Sequence, residues 1–114
     1  SSRIGVCLDT CHAFAAGYDL RDQTSYAFTW KQFDQIIGRD RLGALHLNDA
    51  KSALNSRVDR HAAIGQGLLG LNAFSLLMND PRLDGLPMIL ETPNSEHWRE
   101  EIQLLYDLQR GSHV

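Results

Sequence analysis

The segment HLNDAKSALNSRVDRHAAIGQG, His46 to Gly67, gathers two histidines, two aspartates and three basic residues in a polar, glycine-flanked stretch that follows an apolar run. Such groups are costly to bury, so their gathering points to a site rather than to a core. Asp59 and His61 lie two residues apart, and an extended backbone projects both from one side, where they could grip one ion. Two further groups stand where strand-like apolar runs stop: Asp9 and His12 in CLDTCH, and Glu91 in PMILET. Imidazole and carboxylate together suit zinc or manganese.

These residues need a scaffold, and the chain repeats one three times: a short apolar segment, a polar loop, then a stretch of helical periodicity. This is a βα pattern. The first strand is expected over Ile4 to Leu8, followed by a long loop through AAGYDLRD. A helix then begins near Ser25, with Ala27, Trp30, Phe33, Ile36 and Ile37 on one face and Gly38 at its end. The second strand is Gly43 to Leu47, and the polar segment leads from it to a helix around Leu71 to Met78, stopped by Asn79, Asp80 and Pro81. The third strand is Met88 to Leu90. After Thr92 and Pro93, an Asn94 or Ser95 cap opens a last helix with Trp98, Ile102 and Leu105 as its buried stripe. The tail from Gly111 to Val114 is expected to fray.

Alternate strand residues face opposite sides. Gly5, Cys7 and Asp9 share one face, as do Ala44 and His46, and Ile89 and Glu91; Val6, Leu8, Leu45, Leu47, Met88 and Leu90 take the other. If the strands are parallel neighbours, helices cover the apolar face, while Asp9, His46 and Glu91 converge at the carboxyl edge. Parallel α/β enzymes hold their active sites there. His12, Asp59 and His61 could make a second, loop-built site. The bland alternative is that each is a separate capping or surface residue, and six such residues all at strand ends or just beyond argue against it. His97, His113 and the charges of REEIQLLYDLQR are read as solvated.

The 114 residues suffice for one modest domain or a piece of one; they are 43% hydrophobic and 22% charged, with no apolar run of membrane-spanning length. Nothing at the start reads as a secretory leader, and Cys7 and Cys11 are read as reduced intracellular thiols. A net charge of -3 argues against a nucleic-acid binder working by bulk positive charge. It leaves a metal-dependent one open, because bound cations become the largest local charges. No phosphate-binding loop of the P-loop type appears. A Cys11 nucleophile is disfavoured because its neighbour His12 is adjacent in sequence, and adjacent residues seldom point at each other.

Three segments, GVCLDTCHAFAAGYD, HLNDAKSALNSRVDRHAAIGQG and MILETP, make the chain resemble the carboxyl-terminal part of the endonuclease IV family, the zinc-dependent apurinic/apyrimidinic endonucleases of DNA base-excision repair. The resemblance implies a TIM (β/α)8 barrel of the xylose-isomerase-like type holding three zinc ions, of which residues 1–114 supply about the last three βα units. It implies that Asp9, His46 and Glu91 are catalytic ligands of one ion of a close pair, and that His12, Asp59 and His61 are the protein ligands of the third. The implied activity is hydrolysis, by zinc-activated hydroxide, of the phosphodiester 5′ to an abasic site, leaving a 3′-hydroxyl, together with repair of blocked 3′ ends. The implied partner is double-stranded DNA carrying those lesions, and the implied setting is the bacterial cytoplasm, at the nucleoid during repair.

Lys51, Arg57 and Arg60, beside the ligands, are candidates for phosphate contacts, and Asn48 and Asp49 for orienting the ligands. The alternative is a divalent-metal sugar isomerase or epimerase on the same barrel, which needs only one or two ions. A complete barrel needs about 250 residues. The chain is therefore expected to be a truncated piece that is inactive alone and gains order from a complementary amino-terminal half or by self-association. The complete protein is expected to be a monomer.

Overall fold

Short apolar runs bounded by polar loops build the centre of the structure, a computed structural model that describes residues 5–109. Its strands are β1 (Val6–Asp9), β2 (Leu42–Leu47), β3 (Asp49–Ala50), β4 (His61–Ala62) and β5 (Met88–Leu90), and its α-helices are α1 (Thr10–Ala15), α2 (Gln23–Ile36), α3 (Gly70–Met78) and α4 (Trp98–Leu108). The main sheet has the order β1-β2-β5 and is parallel throughout. Asp9 pairs with His46, and Leu47 with Leu90, so Glu91 follows immediately past the last paired residue.

Strand parity holds. Leu45 and Leu47 are fully buried beneath the helices, where Phe14, Trp30, Phe74 and Leu77 meet them, whereas Cys7 and Ile89 on the other face are exposed. Three apolar runs and four helices thus give one layer of core on one side of the sheet. The predicted strand start at Ile4, together with His113 and the tail from Gly111 to Val114, lies outside the described residues.

Several local features differ from the sequence expectation. The segment after β1 opens as a helix, α1, rather than a loop, because the Asp9 carboxylate caps it, accepting hydrogen bonds from the backbone N–H of Cys11 (2.9 Å) and His12 (3.1 Å). Helix α2 starts at Gln23, two residues before Ser25, with Asp22 as its cap. Its buried stripe is Tyr26, Trp30 and Phe33, whose rings meet edge to face at 6.2 and 5.3 Å. Ala27, Ile36 and Ile37 are exposed instead. Gly38 ends the helix as expected, with φ at +100°, a conformation that strains any other residue.

The last helix is not capped by Asn94 or Ser95. A 3-10 turn, Ser95–His97, intervenes, and neither residue makes a capping side-chain bond. Of the stripe expected on α4, Leu105 is buried, but Trp98 and Ile102 remain more than a third exposed. They line a groove with Ile89 and Tyr106 beside β5, and Ile36 and Ile37 line another with Val6 and Leu8 beside β1. Both grooves flank the outer strands, which have no strand on their outer side among the described residues.

A sheet of this kind, with two outer edges and one open face, presents unpaired backbone groups and apolar surface. The isolated chain is therefore expected to associate as its concentration rises in sedimentation velocity. A monodisperse monomer that melts cooperatively at every concentration would contradict this.

Candidate metal centre

The carboxyl ends of β1, β2 and β5 bring Asp9, His46 and Glu91 together, with one donor atom from each lying within 4.8 Å of the other two. His46 Nδ1 sits 2.5 Å from Glu91 Oε1. One nitrogen and two oxygens make a donor set suited to zinc or a similar divalent ion, whose tetrahedral edges with bonds near 2.0–2.2 Å are about 3.3–3.6 Å. Small side-chain adjustments would close the set on an ion.

Asn48 holds this arrangement. It is fully buried, its Nδ2 donates to Asp9 Oδ2 (3.1 Å), and its Oδ1 accepts from the Glu91 N–H (2.9 Å). Its backbone is fixed in turn by the buried Thr10 hydroxyl, which accepts from Asn48 N (2.9 Å) and donates to Asn48 O (2.7 Å). One amide thereby ties the ends of the two outer strands across the middle one.

The second group forms where the loop between β3 and β4 folds over α1. The two short strands pair antiparallel, Asp49 with Ala62 and Ala50 with His61, a ribbon too brief to be legible in the sequence. Asp59 Oδ2 lies 3.3 Å from His12 Nδ1, and Asp59 Oδ1 lies 3.4 Å from His61 Nε2. His61 also reaches Asp9 Oδ2 at 3.5 Å, so the two groups share a wall. Its other nitrogen, Nδ1, is 3.0 Å from the backbone carbonyl of Glu91 and must donate there, so in the neutral imidazole Nε2 is the free lone pair, and it faces the carboxylates. Metal-binding histidines are oriented in this way.

Burial raises the Asp59 carboxyl, but hydrogen bonds from Cys11 and His12 and the nearby imidazoles outweigh it, and the group lies below its ordinary value. The anion, the form that could bind a cation, is thus favoured.

Asp49 takes a different place from the one expected. Its fully buried carboxylate bonds no ligand side chain but accepts from the backbone N–H groups of Ala50, Gly65, Leu69 and Gly70. It thereby anchors the loop and the start of α3, whose own N-cap, Leu69, has no side-chain acceptor. Gly67 passes so close that a Cβ there would fall 2.5 Å from both Asp49 Oδ1 and Ala50 O. Lys51, Arg57 and Arg60 are exposed on the same loop. Arg57 adopts a φ of +62° and is held by its N–H to Ala15 O (2.9 Å).

Two contributors escaped the sequence reading. Glu101, expected to be solvated with its helix, is buried; its Oε1 accepts from Ile64 N (2.8 Å) and its Oε2 from the Thr92 hydroxyl (2.6 Å). It clamps the segment after His61 to the residue after Glu91. The available signal was its position, since Glu101 falls on the stripe of Trp98, Ile102 and Leu105. Cys11 is the other: fully buried, with its thiol donating to Arg60 O at 3.3 Å, and pushed up to about 12 by burial and by Asp59. That removes it as a nucleophile at neutral pH. His97 is exposed as expected.

A sequence profile of the xylose isomerase-like TIM barrel family matches residues 1–108. The chain is 56% identical over 110 residues to "Probable endonuclease 4" of Campylobacter curvus, covering 96% of this chain and 39% of that protein. It is 57% identical over 107 residues to the protein of the same name in Chlorobium limicola, covering 94% of this chain and 37% of that one. The crystal structure of endonuclease IV from Thermus thermophilus superposes with a TM-score of 0.81 at 38% identity, over 91% of this chain and 38% of that chain. The chain therefore spans about two fifths of the length of these relatives. With its parallel strands, covering helices and strand ends that carry carboxylates and an imidazole, it belongs to the xylose isomerase-like TIM barrel family, on the endonuclease IV branch.

Proposed function

We propose that residues 1–114 form the carboxyl-terminal portion of a single (β/α)8 barrel domain, supplying its last three βα units, and that the complete barrel is a DNA repair endonuclease. Its reaction is hydrolysis of the phosphodiester 5′ to an apurinic/apyrimidinic site to leave a 3′-hydroxyl, with removal of blocking groups from 3′ ends. The observation that carries this reading is His61. Its Nδ1 bonds the Glu91 carbonyl while its Nε2 lies within 3.5 Å of both Asp9 and Asp59, so the two donor groups adjoin, as a site for more than one ion requires. The names of the relatives supply the class of reaction.

In this reading Asp9, His46 and Glu91 hold one zinc ion, and His12, Asp59 and His61 hold another. These residues would hold the ions, and the chemistry zinc would supply there is polarisation of a phosphoryl oxygen and a water of pKa about 7. The chain's own contribution is placement. Asn48 keeps Asp9 and Glu91 at a fixed separation, and the Glu91 carbonyl holds His61 in the tautomer whose Nε2 can bind metal. Glu101 fixes the segments that follow both ligands, while Lys51, Arg57 and Arg60 present exposed cations to the phosphates of double-stranded DNA. A sugar isomerase on this fold would leave the His12, Asp59 and His61 set without a task. Among the described residues, no helix is long and apolar enough to cross a membrane.

Three measurements test the reading. Elemental analysis of the dialysed chain is expected to find zinc at about one ion per chain, lost in His61→Ala, and no zinc in the parent would show that the loop site does not form in this chain. Asn48→Ala is expected to weaken zinc binding about 10- to 100-fold, and parent-like affinity would remove Asn48 from its positioning role. In a version completed to the full barrel, Glu91→Gln should abolish nicking at abasic sites while sparing the fold. Normal nicking by that variant would refute the ligand assignment.

A further inference from the structure

The loop group whose donor atoms all lie within 4.8 Å of one another consists of Cys11, Asp59 and His61. Cys11 and His12 are neighbours on α1 and approach Asp59 from opposite sides. His12 comes from solvent, with 71% of its side chain exposed, and Cys11 from the core at zero exposure. The thiol is more than a small apolar filler, because it points out of the core at the loop and donates to the Arg60 carbonyl, the residue between Asp59 and His61. The backbone around it is fixed: Asp9 caps α1 at Cys11 N, and Lys51 N donates to the same Arg60 carbonyl at 2.9 Å. A largely exposed His12 can swing away at little cost, whereas Cys11 cannot.

We propose that the loop site contains two overlapping ligand sets sharing Asp59 and His61, and that the inner set, completed by the Cys11 thiolate in place of His12, takes a thiophilic divalent cation. The chemistry separates the two. Imidazole and carboxylate donors suit borderline ions, while a thiolate favours softer ones. On ligation the thiol proton passes to solvent, a sulfur–metal bond forms, and the Cys11 bond to the Arg60 carbonyl is lost. The ion then sits deeper than one held by His12, drawn away from any anion arriving from solvent. Soft cations would thus occupy the site in a form withdrawn from substrate. The inference shares Asp59 and His61 with the zinc reading proposed above, and each can fail alone.

Cadmium is the probe. The metal-free chain carrying Cys7→Ser, which removes the exposed thiol, is titrated with cadmium while the near-ultraviolet thiolate-to-cadmium charge-transfer band is followed. The band is expected to saturate at one equivalent, to persist with His12→Ala, and to vanish with Cys11→Ser or Cys11→Ala. Cadmium-113 NMR of the Cys7→Ser chain, in which Cys11 is retained, is expected to report one sulfur ligand, so the result does not hang on a Cys11 variant folding. No band, a band that survives loss of Cys11, or a cadmium resonance without sulfur overturns the inner set. Zinc retention in the same variants separates the two readings. Zinc lost with His12→Ala and kept with Cys11→Ser upholds the outer set whatever cadmium does. A cadmium band with no zinc retained in any variant sinks the outer set and leaves the inner one standing. Absence of both metals counts against both.

Discussion

The Asn48 side chain sits at zero exposure among the ends of three parallel strands, and a buried amide must find partners for both its nitrogen and its oxygen. The partners are the Asp9 carboxylate on one outer strand and the Glu91 N–H on the other. Leaving either unmade costs about 1–3 kcal/mol, so satisfying the amide also sets the distance between two candidate ligands. Thr10 extends the constraint by bonding both backbone polar groups of Asn48, which locks the end of β2 against the start of α1. Every donor at the sheet edge is placed relative to this residue.

A second buried polar group does for the loop what Asn48 does for the sheet. Asp49 gathers four backbone N–H groups onto one carboxylate, and in doing so turns the chain back after β4 and starts α3. Glu101 then joins the loop to the segment past β5. With three buried anchors of this kind, the loop that carries Asp59 and His61 is held against the ends of β1 and β5. That is why His61 can bond the Glu91 carbonyl and face Asp9 together. The two donor groups are physically one site because the same buried carboxylates and amide hold both.

The helices show a complementary pattern. Where neighbouring elements exist, apolar stripes are buried as periodicity demands: Tyr26, Trp30 and Phe33 on α2, and Ala73, Phe74 and Leu77 on α3. At the flanks the same type of residue stays exposed, as with Ile36 and Ile37 beside β1 and Trp98 and Ile102 beside β5. The inner face, with Cys7 and Ile89, is open as well. Such surfaces fit a closed barrel in which further strands and helices continue on both sides.

Much of this was legible in one dimension. Apolar runs of strand length separated by helical periodicity identify three βα units, and period-two alternation places Asp9, His46 and Glu91 on one face, because both signals depend only on local backbone geometry. The grouping of Asp59 with His61 follows from their spacing in the same way. The sequence could not say that β1 and β5 both flank β2. Nor could it say that the loop closes on α1 through a two-residue ribbon, or that Asp49 caps a helix 20 residues away. Those outcomes belong to contacts between residues far apart in the chain. They were settled by the need of each buried polar group to find a partner once the core had formed, and that need has no period to read along a sequence.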